Sequence, residues 1–441
     1  SAASFPYNQG MKQRLTKNAT RSFSRVLLLF LCLALLAGCT AAPSGDSEDV
    51  LTDADEPSYA SDSGSTQTIP PDRMLTLSAE PIDQLSTENA FEILYVNVGK
   101  ADAAILRFGE TAVLIDTGSA ESAPQLIAGL NTLGITKISA VFITHSHSDH
   151  LGGLTALSAN YDIPMVYSPF YSEQDKNGTS KIVKRAEKLN LQHQELLAGD
   201  VVPITDDVRF TVLGPLSLNE GDDNDNSLVL RFSYGGKTFL FVGDMQFAEE
   251  QAIISSGANL KSDVLKVGNH GNPDATGDDF GALVSPDTAV ISTNTMVDQD
   301  SANPRVYAAL PTAQIVVTQD FPIGVLLTLD DSGAITLHNP ARQSPTASVL
   351  VQSFDVEAQT ITLVNNGTEI VDLSGMILFS VRSDATLRFS DGTTLAAGDQ
   401  LIIGAGGDFA FSAEDKPLSK KKDNTVILYD RLGLLVSKLE Q

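Results

Sequence analysis

A chain of 441 residues exceeds one ordinary domain, and an apolar fraction of 42% suffices for real cores. Its 55 acidic against 29 basic side chains give a net charge of −26, which repels polyanions at long range. Non-specific nucleic-acid binding needs Lys and Arg to meet phosphates, so the balance argues against a processive DNA binder, though not against a nuclease with a local basic rim.

The first predicted element is a signal peptide over residues 11–39. Lys12, Arg14, Lys17, Arg21 and Arg25 form a basic stretch without an acidic residue, and the apolar run "VLLLFLCLALLAG" follows, ending at Cys39. The run is too short for a comfortable membrane span and has the layout of a secretory signal. "LAGC", Leu36 to Cys39, resembles the lipobox of bacterial lipoproteins. That resemblance implies cleavage that leaves Cys39 as the lipid-modified N-terminus, with the protein held on the outer face of the bacterial cell membrane. A plain signal peptide or a single anchor helix is the other reading of the run. Both cysteines, Cys32 and Cys39, belong to this segment, so any metal further on must be held by His and carboxylates. Five of the 29 basic residues precede Cys39, which leaves 24 against all 55 acidic ones.

Residues 40–88 are acidic, Ser/Pro-rich and poor in large apolar groups, a composition that cannot bury a core and reads as a flexible acidic linker. From Phe91 the pattern changes. "FEILYVNVG", "AAILRF" and "TAVLID" read as strands, with a hairpin at Gly109-Glu110. "SAPQLIAGLNTLG" has helical spacing and ends on Gly134. "ISAVFIT" is a β-branched strand running into "HSHSDHLGG". "SLVLRFSYGGKTFLFVGD" is a hairpin, "FAEEQAIISS" a helix and "SDVLKVG" a strand, and the alternation continues to "IGVLLTLDDSGAITL". Alternating elements with frequent hairpins predict an α/β (α+β) domain over 89–338, with mixed sheets stacked between helices. "HNPARQSPTA" then reads as a linker. Short strands with Gly/Asn/Asp turns over 346–438 predict a small all-β sandwich.

The chemistry concentrates at residues 145–150. His145 and His147 stand two apart at the end of a strand, so they point to one side. Asp149 and His150 follow where the chain turns into "LGGL", whose glycines let the backbone pass close by. Two adjacent half-shells of this kind can hold two metals about 3.5–4 Å apart, which clamp a phosphoryl or carbonyl oxygen and share a hydroxide.

"THSHSDHLGG" matches the signature of the metallo-β-lactamase fold superfamily. "VNVGKADAAIL", "VLIDTG", "NDNSLVLRFSYGGKTFLFVGDM" and "DVLKVGNHG" resemble the branch containing the extracytoplasmic domain of ComEC-type competence proteins. The likeness covers residues 91–338. It implies an αββα sandwich and a dinuclear centre of Zn or Mn. His145 and His147 would hold one ion, Asp149 and His150 the other, with Asp244 bridging and His270 as a further ligand. Asp116 of "DTG" would orient a histidine. The metal pair would generate a hydroxide nucleophile for phosphodiester or related hydrolysis, with Asp149 and Asp102 as candidates to protonate the leaving group. Asn224, Asp225 and Asn226 serve equally as loop-formers. The sequence departs from the family at "NHG", where Asn269 replaces a histidine, and at Asn303-Pro304, where the family's His-Pro can complete a metal shell. Asn oxygen is a poorer ligand than imidazole for zinc but acceptable for manganese. His193 and His338 read as surface or packing residues.

"TITLVNNGTEIVDLSGMIL" and the strands after it resemble a lamin-tail domain, an immunoglobulin-like sandwich, although Met376 stands where that family usually has Trp. "KPLSKKKD" is the densest basic patch, either a solvated loop or an anchor on an anionic polymer. The leading expectation is therefore a lipid-anchored extracytoplasmic metal-dependent hydrolase, of nuclease or phosphodiesterase type. The alternatives are an esterase of phosphate-bearing wall polymers and a non-catalytic surface-binding lipoprotein with a degenerate metal site.

Overall fold

Apolar stretches bounded by turn residues form the strands of the computed structural model, which describes residues 74–81, 91–342, 348–411 and 416–441. The signal peptide 11–39, with Cys39, lies outside the described residues, as does most of the acidic linker. In chain order the strands are β1 (Ala79–Pro81), β2 (Phe91–Val96), β3 (Ala104–Phe108), β4 (Thr111–Ile115), β5 (Ala140–Phe142), β6 (Val166–Pro169), β7 (His193–Leu196), β8 (Val201–Pro203), β9 (Arg209–Gly214), β10 (Val229–Tyr234), β11 (Lys237–Phe241), β12 (Val264–Lys266), β13 (Thr288–Ile291), β14 (Gln314–Val317), β15 (Gly324–Leu329) and β16 (Ile335–Ala341). They make two sheets, one ordered β1-β16-β15-β2-β3-β4-β5-β6-β7 and the other β14-β13-β12-β11-β10-β9-β8.

Period-2 alternation decides which layer each side chain joins. Phe91, Ile93 and Tyr95 of β2 enter the core between the sheets with Phe232, Phe239 and Phe241. The Phe91 and Phe239 rings stand 5.1 Å apart, and Tyr95 stacks on Phe241 at 5.8 Å. Leu94 and Val96 point the other way, onto α1 (Ala123–Thr132), α3 (Leu154–Asn160) and Ile182 of α4 (Lys181–Lys188). The second sheet is covered by α5 (Phe247–Ser256), α6 (Asp278–Val284) and α7 (Pro304–Ala309). The expected αββα order therefore holds. Each fully buried large apolar side chain contributes about 1.5–3 kcal/mol.

Two expected boundaries shift. Residues 74–81, read from sequence as the end of the linker, belong to this body. β1 pairs in parallel with β16, Leu75 donates its N–H to Ile315 O at 3.1 Å, and Met74, Leu75 and Leu77 join the cores. At the other end β16 runs to Ala341, through residues expected to be linker.

Beyond it, β17 (Val349–Asp355), β18 (Thr360–Asn365), β19 (Val371–Asp372), β20 (Ile377–Ser380), β21 (Ala385–Arg388), β22 (Thr394–Leu395), β23 (Gln400–Gly404), β24 (Thr425–Tyr429) and β25 (Leu435–Glu440) form three small sheets. These enclose Ile361, Leu363, Met376, Leu378, Phe389 and Val426. The β-rich region docks on α1 and α3 through two asparagines. Asn131 Nδ2 donates to Gly375 O at 2.9 Å and Arg431 O at 2.8 Å, and its Oδ1 accepts Arg388 Nε at 2.8 Å. Asn160 Nδ2 donates to Thr386 O at 3.0 Å, and its Oδ1 accepts the Arg388 N–H at 2.6 Å. Among the described residues no helix is long and apolar enough to cross a membrane.

Candidate metal centre

The candidate site lies at the carboxyl ends of β4, β5, β11, β12 and β13, where apolar strands give way to polar loops. Asp116 ends β4 in a left-handed conformation, φ 61°. Its Oδ1 accepts the Thr144 N–H at 2.7 Å, while its Oδ2 accepts Thr144 Oγ1 at 2.8 Å and His150 Nδ1 at 2.8 Å. The Nδ1 proton of His150 is thereby committed, and Nε2 faces inward. A backbone carbonyl does the same for His270, whose Nδ1 donates to Ser292 O at 2.8 Å. Asn269, His270 and Gly271 all have positive φ, 41°, 53° and 74°, a strained loop of the sort that persists where its surroundings over-determine it.

The inward atoms converge on one carboxylate. Asp244 Oδ2 is 3.1 Å from His150 Nε2, 3.2 Å from His270 Nε2 and 3.9 Å from His145 Nε2. His270 Nε2 also lies 3.3 Å from Asp149 Oδ2. Asp149, His150, Asp244 and His270 each offer a ligand atom within 4.8 Å of the others. The Nε2 atoms of His145, His150 and His270 and Oδ1 of Asp244 are buried without a hydrogen-bond partner. Buried lone pairs aimed at one another are costly unless a cation or protons lie between them. An N/O set without sulfur suits Zn or Mn, so these residues fit a divalent ion.

The electrostatics follow from that crowding. Burial opposes charge on His150, yet Asp244 and Asp116 hold it well above the ordinary imidazole range. Against the same burial, Asp244 and Asp149 hold His270 up at about 9. Burial and the neighbouring His150 push His145 well below its usual value. Asp149 and Asp244, despite burial, are held far below the carboxylate range by the surrounding histidines.

Each expected site residue can now be located. Asp149 and His150 sit on α2 (Ser148–Leu151), directly after His147. The glycines that follow are there for close approach: a Cβ on Gly152 would fall 2.6 Å from Ala120 N, and one on Gly153 2.1 Å from Thr117 O. The His147 ring stands 4.6 Å from that of His145, outside the four-ligand group, and lines a groove with Glu173, Leu218, Asn219 and Asp222.

Asp102 departs from expectation. Its Oδ2 pairs with buried Lys266 at 2.7 Å, and its Oδ1 lies 3.7 Å from Nδ1 of His270, the nitrogen turned away from Asp244. It braces the back of His270 instead of serving as a proton donor. Asp149, held far below the carboxylate range, lies 2.9 Å from Lys100 Nζ and stands among the candidate ligands.

The two asparagines are engaged in hydrogen bonds. Asn269 Nδ2 donates to Asp274 at 2.9 Å, and Asn303 Oδ1 caps α7 by accepting the Arg305 N–H at 3.0 Å. The Asn303 N–H still steadies the His270 loop through Gly271 O at 2.9 Å. His193 and His338 are packing residues, bonded to Ser168 Oγ at 2.8 Å and Thr328 Oγ1 at 3.0 Å. Asp225 accepts the Gln246 and Glu249 N–H groups at the start of α5, a loop-forming role.

Sequence reasoning missed Lys100, Lys266, Thr144, Asp223 and Ser227. Asp223 Oδ2 accepts the Ser146 N–H at 2.9 Å and so shapes the turn between the two histidines. Ser227 Oγ accepts the Asp244 N–H at 3.0 Å and lies 3.3 Å from His145 Nδ1. A lysine amid the apolar residues of "DVLKVG" was the available signal for Lys266.

Residues 96–295 match the metallo-beta-lactamase superfamily. This stretch is a metallo-beta-lactamase domain. Over 228 residues, 47% of this chain and 29% of the relative, the sequence is 32% identical to ComE operon protein 3 of Bacillus subtilis (strain 168). It is 28% identical over 209 residues to Competence protein ComA of Neisseria gonorrhoeae, covering 46% of this chain and 27% of that protein. A stretch of 56 residues, 13% of this chain and 21% of the relative, is 36% identical to Exodeoxyribonuclease YycJ of Bacillus anthracis. The chain thus spans under a third of the length of each of these relatives. As a metallo-beta-lactamase domain, the region belongs to a superfamily of metal-dependent hydrolases, and the His/Asp cluster is its metal-binding candidate.

Proposed function

We propose that this protein is an extracytoplasmic metal-dependent phosphodiesterase of nuclease type, tethered to the membrane through a lipid on Cys39. The observation that carries the hydrolytic reading is the meeting of His150 Nε2 and His270 Nε2 at Asp244 Oδ2, with Asp149 alongside. Two divalent ions, Zn or Mn, held by these residues together with His145 and His147, would supply a nucleophilic water at neutral pH and stabilise negative charge in the transition state. The chain's own part is positional. Asp116 and Ser292 fix the two imidazoles, Asp102 braces His270, and Asp149 and Asp244 keep their negative charge. The likeness to an exodeoxyribonuclease supports a phosphodiester substrate.

A second reading has an observation of its own. The groove beside His147 is walled by Glu173, Glu220, Asp222 and Asp223, which disfavours a long polyanion. A phosphate ester of a wall polymer that also carries positive charge suits that wall better.

Elemental analysis of the purified chain is expected to give at least one divalent ion per molecule. With Mn or Zn the protein is expected to hydrolyse bis-p-nitrophenyl phosphate, and comparing single-stranded DNA with a phosphocholine ester separates the two substrates. Less than one metal per chain together with no phosphodiester hydrolysis would overturn the enzyme reading. Replacing Cys39 with Ala should move the protein from the detergent to the aqueous phase; unchanged partitioning would refute the anchor.

A further inference from the structure

Lys100 lies in the loop between β2 and β3, and the fold fixes that loop from three sides. Asn97 Nδ2 donates to Phe321 O at 2.9 Å, Asn97 Oδ1 accepts the Gly99 N–H at 3.3 Å, and the Asp102 N–H donates to Asp149 O at 3.1 Å. Gly99, at φ 78°, permits the turn. The Lys100 ammonium consequently stands 2.9 Å from Asp149 Oδ2.

Two lysines touch carboxylates of the site, and they differ in freedom. Lys266 is 5% exposed and bonded to both Asp102 and Val267 O, so it cannot turn towards a ligand. The Lys100 side chain is 29% exposed.

Asp149 Oδ2 has two claimants, Lys100 Nζ on one side and the region shared with His270 Nε2 on the other. A divalent ion held by that oxygen would neutralise part of what holds Lys100 in place. The ammonium, next to the ion and open to solvent, is then left with a charge to pair. We infer that Lys100 is the anion-recognition residue of the centre, binding a non-bridging oxygen of an anionic phosphoester beside the metal ligands. This rests on the phosphoester reading above, and it gives an acidic protein a local cation for such a substrate.

The test uses inorganic phosphate as probe and the full chain loaded with excess Mn or Zn, with metal content checked for every variant. Calorimetric titration is expected to show phosphate binding that weakens about tenfold or more in Lys100→Met and is largely kept in Lys100→Arg. The affinity of the unaltered chain should also fall more steeply with ionic strength than that of Lys100→Met. Equal phosphate affinity in the unaltered chain and Lys100→Met, at equal metal content, would overturn the assignment. If the unaltered chain hydrolyses bis-p-nitrophenyl phosphate while that equality holds, only the role of Lys100 falls. If no phosphodiester is hydrolysed and phosphate does not bind, the phosphoester reading falls with it.

Discussion

His150 Nδ1 stands 2.8 Å from Asp116 Oδ2, an oxygen that also accepts Thr144 Oγ1. One carboxylate therefore fixes both the tautomer of a ligand and the end of the strand that leads into the histidine cluster. Asp116→Asn keeps an oxygen for the Thr144 N–H but loses the charge that steadies His150. Metal affinity should fall about ten- to a hundredfold, as measured by competition with a chelator, while the fold survives. Unchanged affinity would show that His150 needs no such support.

The two halves of the proposed centre are unequal. Asp149, His150, Asp244 and His270 gather their ligand atoms within 4.8 Å, whereas His147 stands to one side with His145. Titrating Mn or Zn into stripped protein should give a tight first equivalent and a weaker second. His270→Ala should abolish the tight one, and His147→Ala should remove mainly the weak one. Equal loss of both in His147→Ala would contradict this order.

Glu250 of α5 accepts the N–H groups of Thr276 and Gly277, yet burial raises its carboxyl from 4.5 to about 7. The folded state then binds this proton more tightly than the unfolded chain does. Its contribution is complete below about pH 4.5 and is lost as pH rises through about 7, amounting to at most about 3 kcal/mol. Urea midpoints at pH 5 and pH 8 should differ by less in Glu250→Gln than in the unaltered protein. An identical pH dependence would show that Glu250 is not the source.

Asn131 satisfies the carbonyls of Gly375 and Arg431 and the guanidinium of Arg388 across the junction with the C-terminal region. Asn131→Ala takes that partner from both carbonyls and from Arg388 Nε, although the guanidinium keeps Asp391, at a cost of about 1–3 kcal/mol for each group that stays dry. Thermal unfolding should begin earlier, with strands β17–β25 melting ahead of the rest. A single unshifted transition would mean that the junction contributes little.

Much of the site was legible before the structure because its residues break local rules. Three histidines and an aspartate within six positions cannot be an ordinary strand end, and Asp244 closes an apolar strand where a carboxylate has no packing role. Lys266 was not legible. On β12, flanked by strands and covered on both faces, it needs an acid, and the one it finds is 164 residues earlier in the chain. Asn303 was read only against the family's His-Pro. Locally it is helix-start chemistry, with Asn at the cap and Pro in the first turn. The strand at residues 79–81 was hidden by polar neighbours, since parallel pairing with β16 leaves no local trace.

A helix of four residues, α2 from Ser148 to Leu151, cannot sustain itself by its own hydrogen bonds. The carbonyls of Asp149 and His150 are instead held by the N–H groups of Asp102 and Thr117, and Gly153 is pressed against Thr117. The bite of the candidate metal clamp is therefore gauged by the loops that close β2 and β4. An insertion in residues 99–102 or 117–120 would spoil the gauge even with all the ligands in place. The Glu173 side chain in the groove wall, paired with Lys181, carries no such duty, so change in substrate preference has room there while the clamp stays constant.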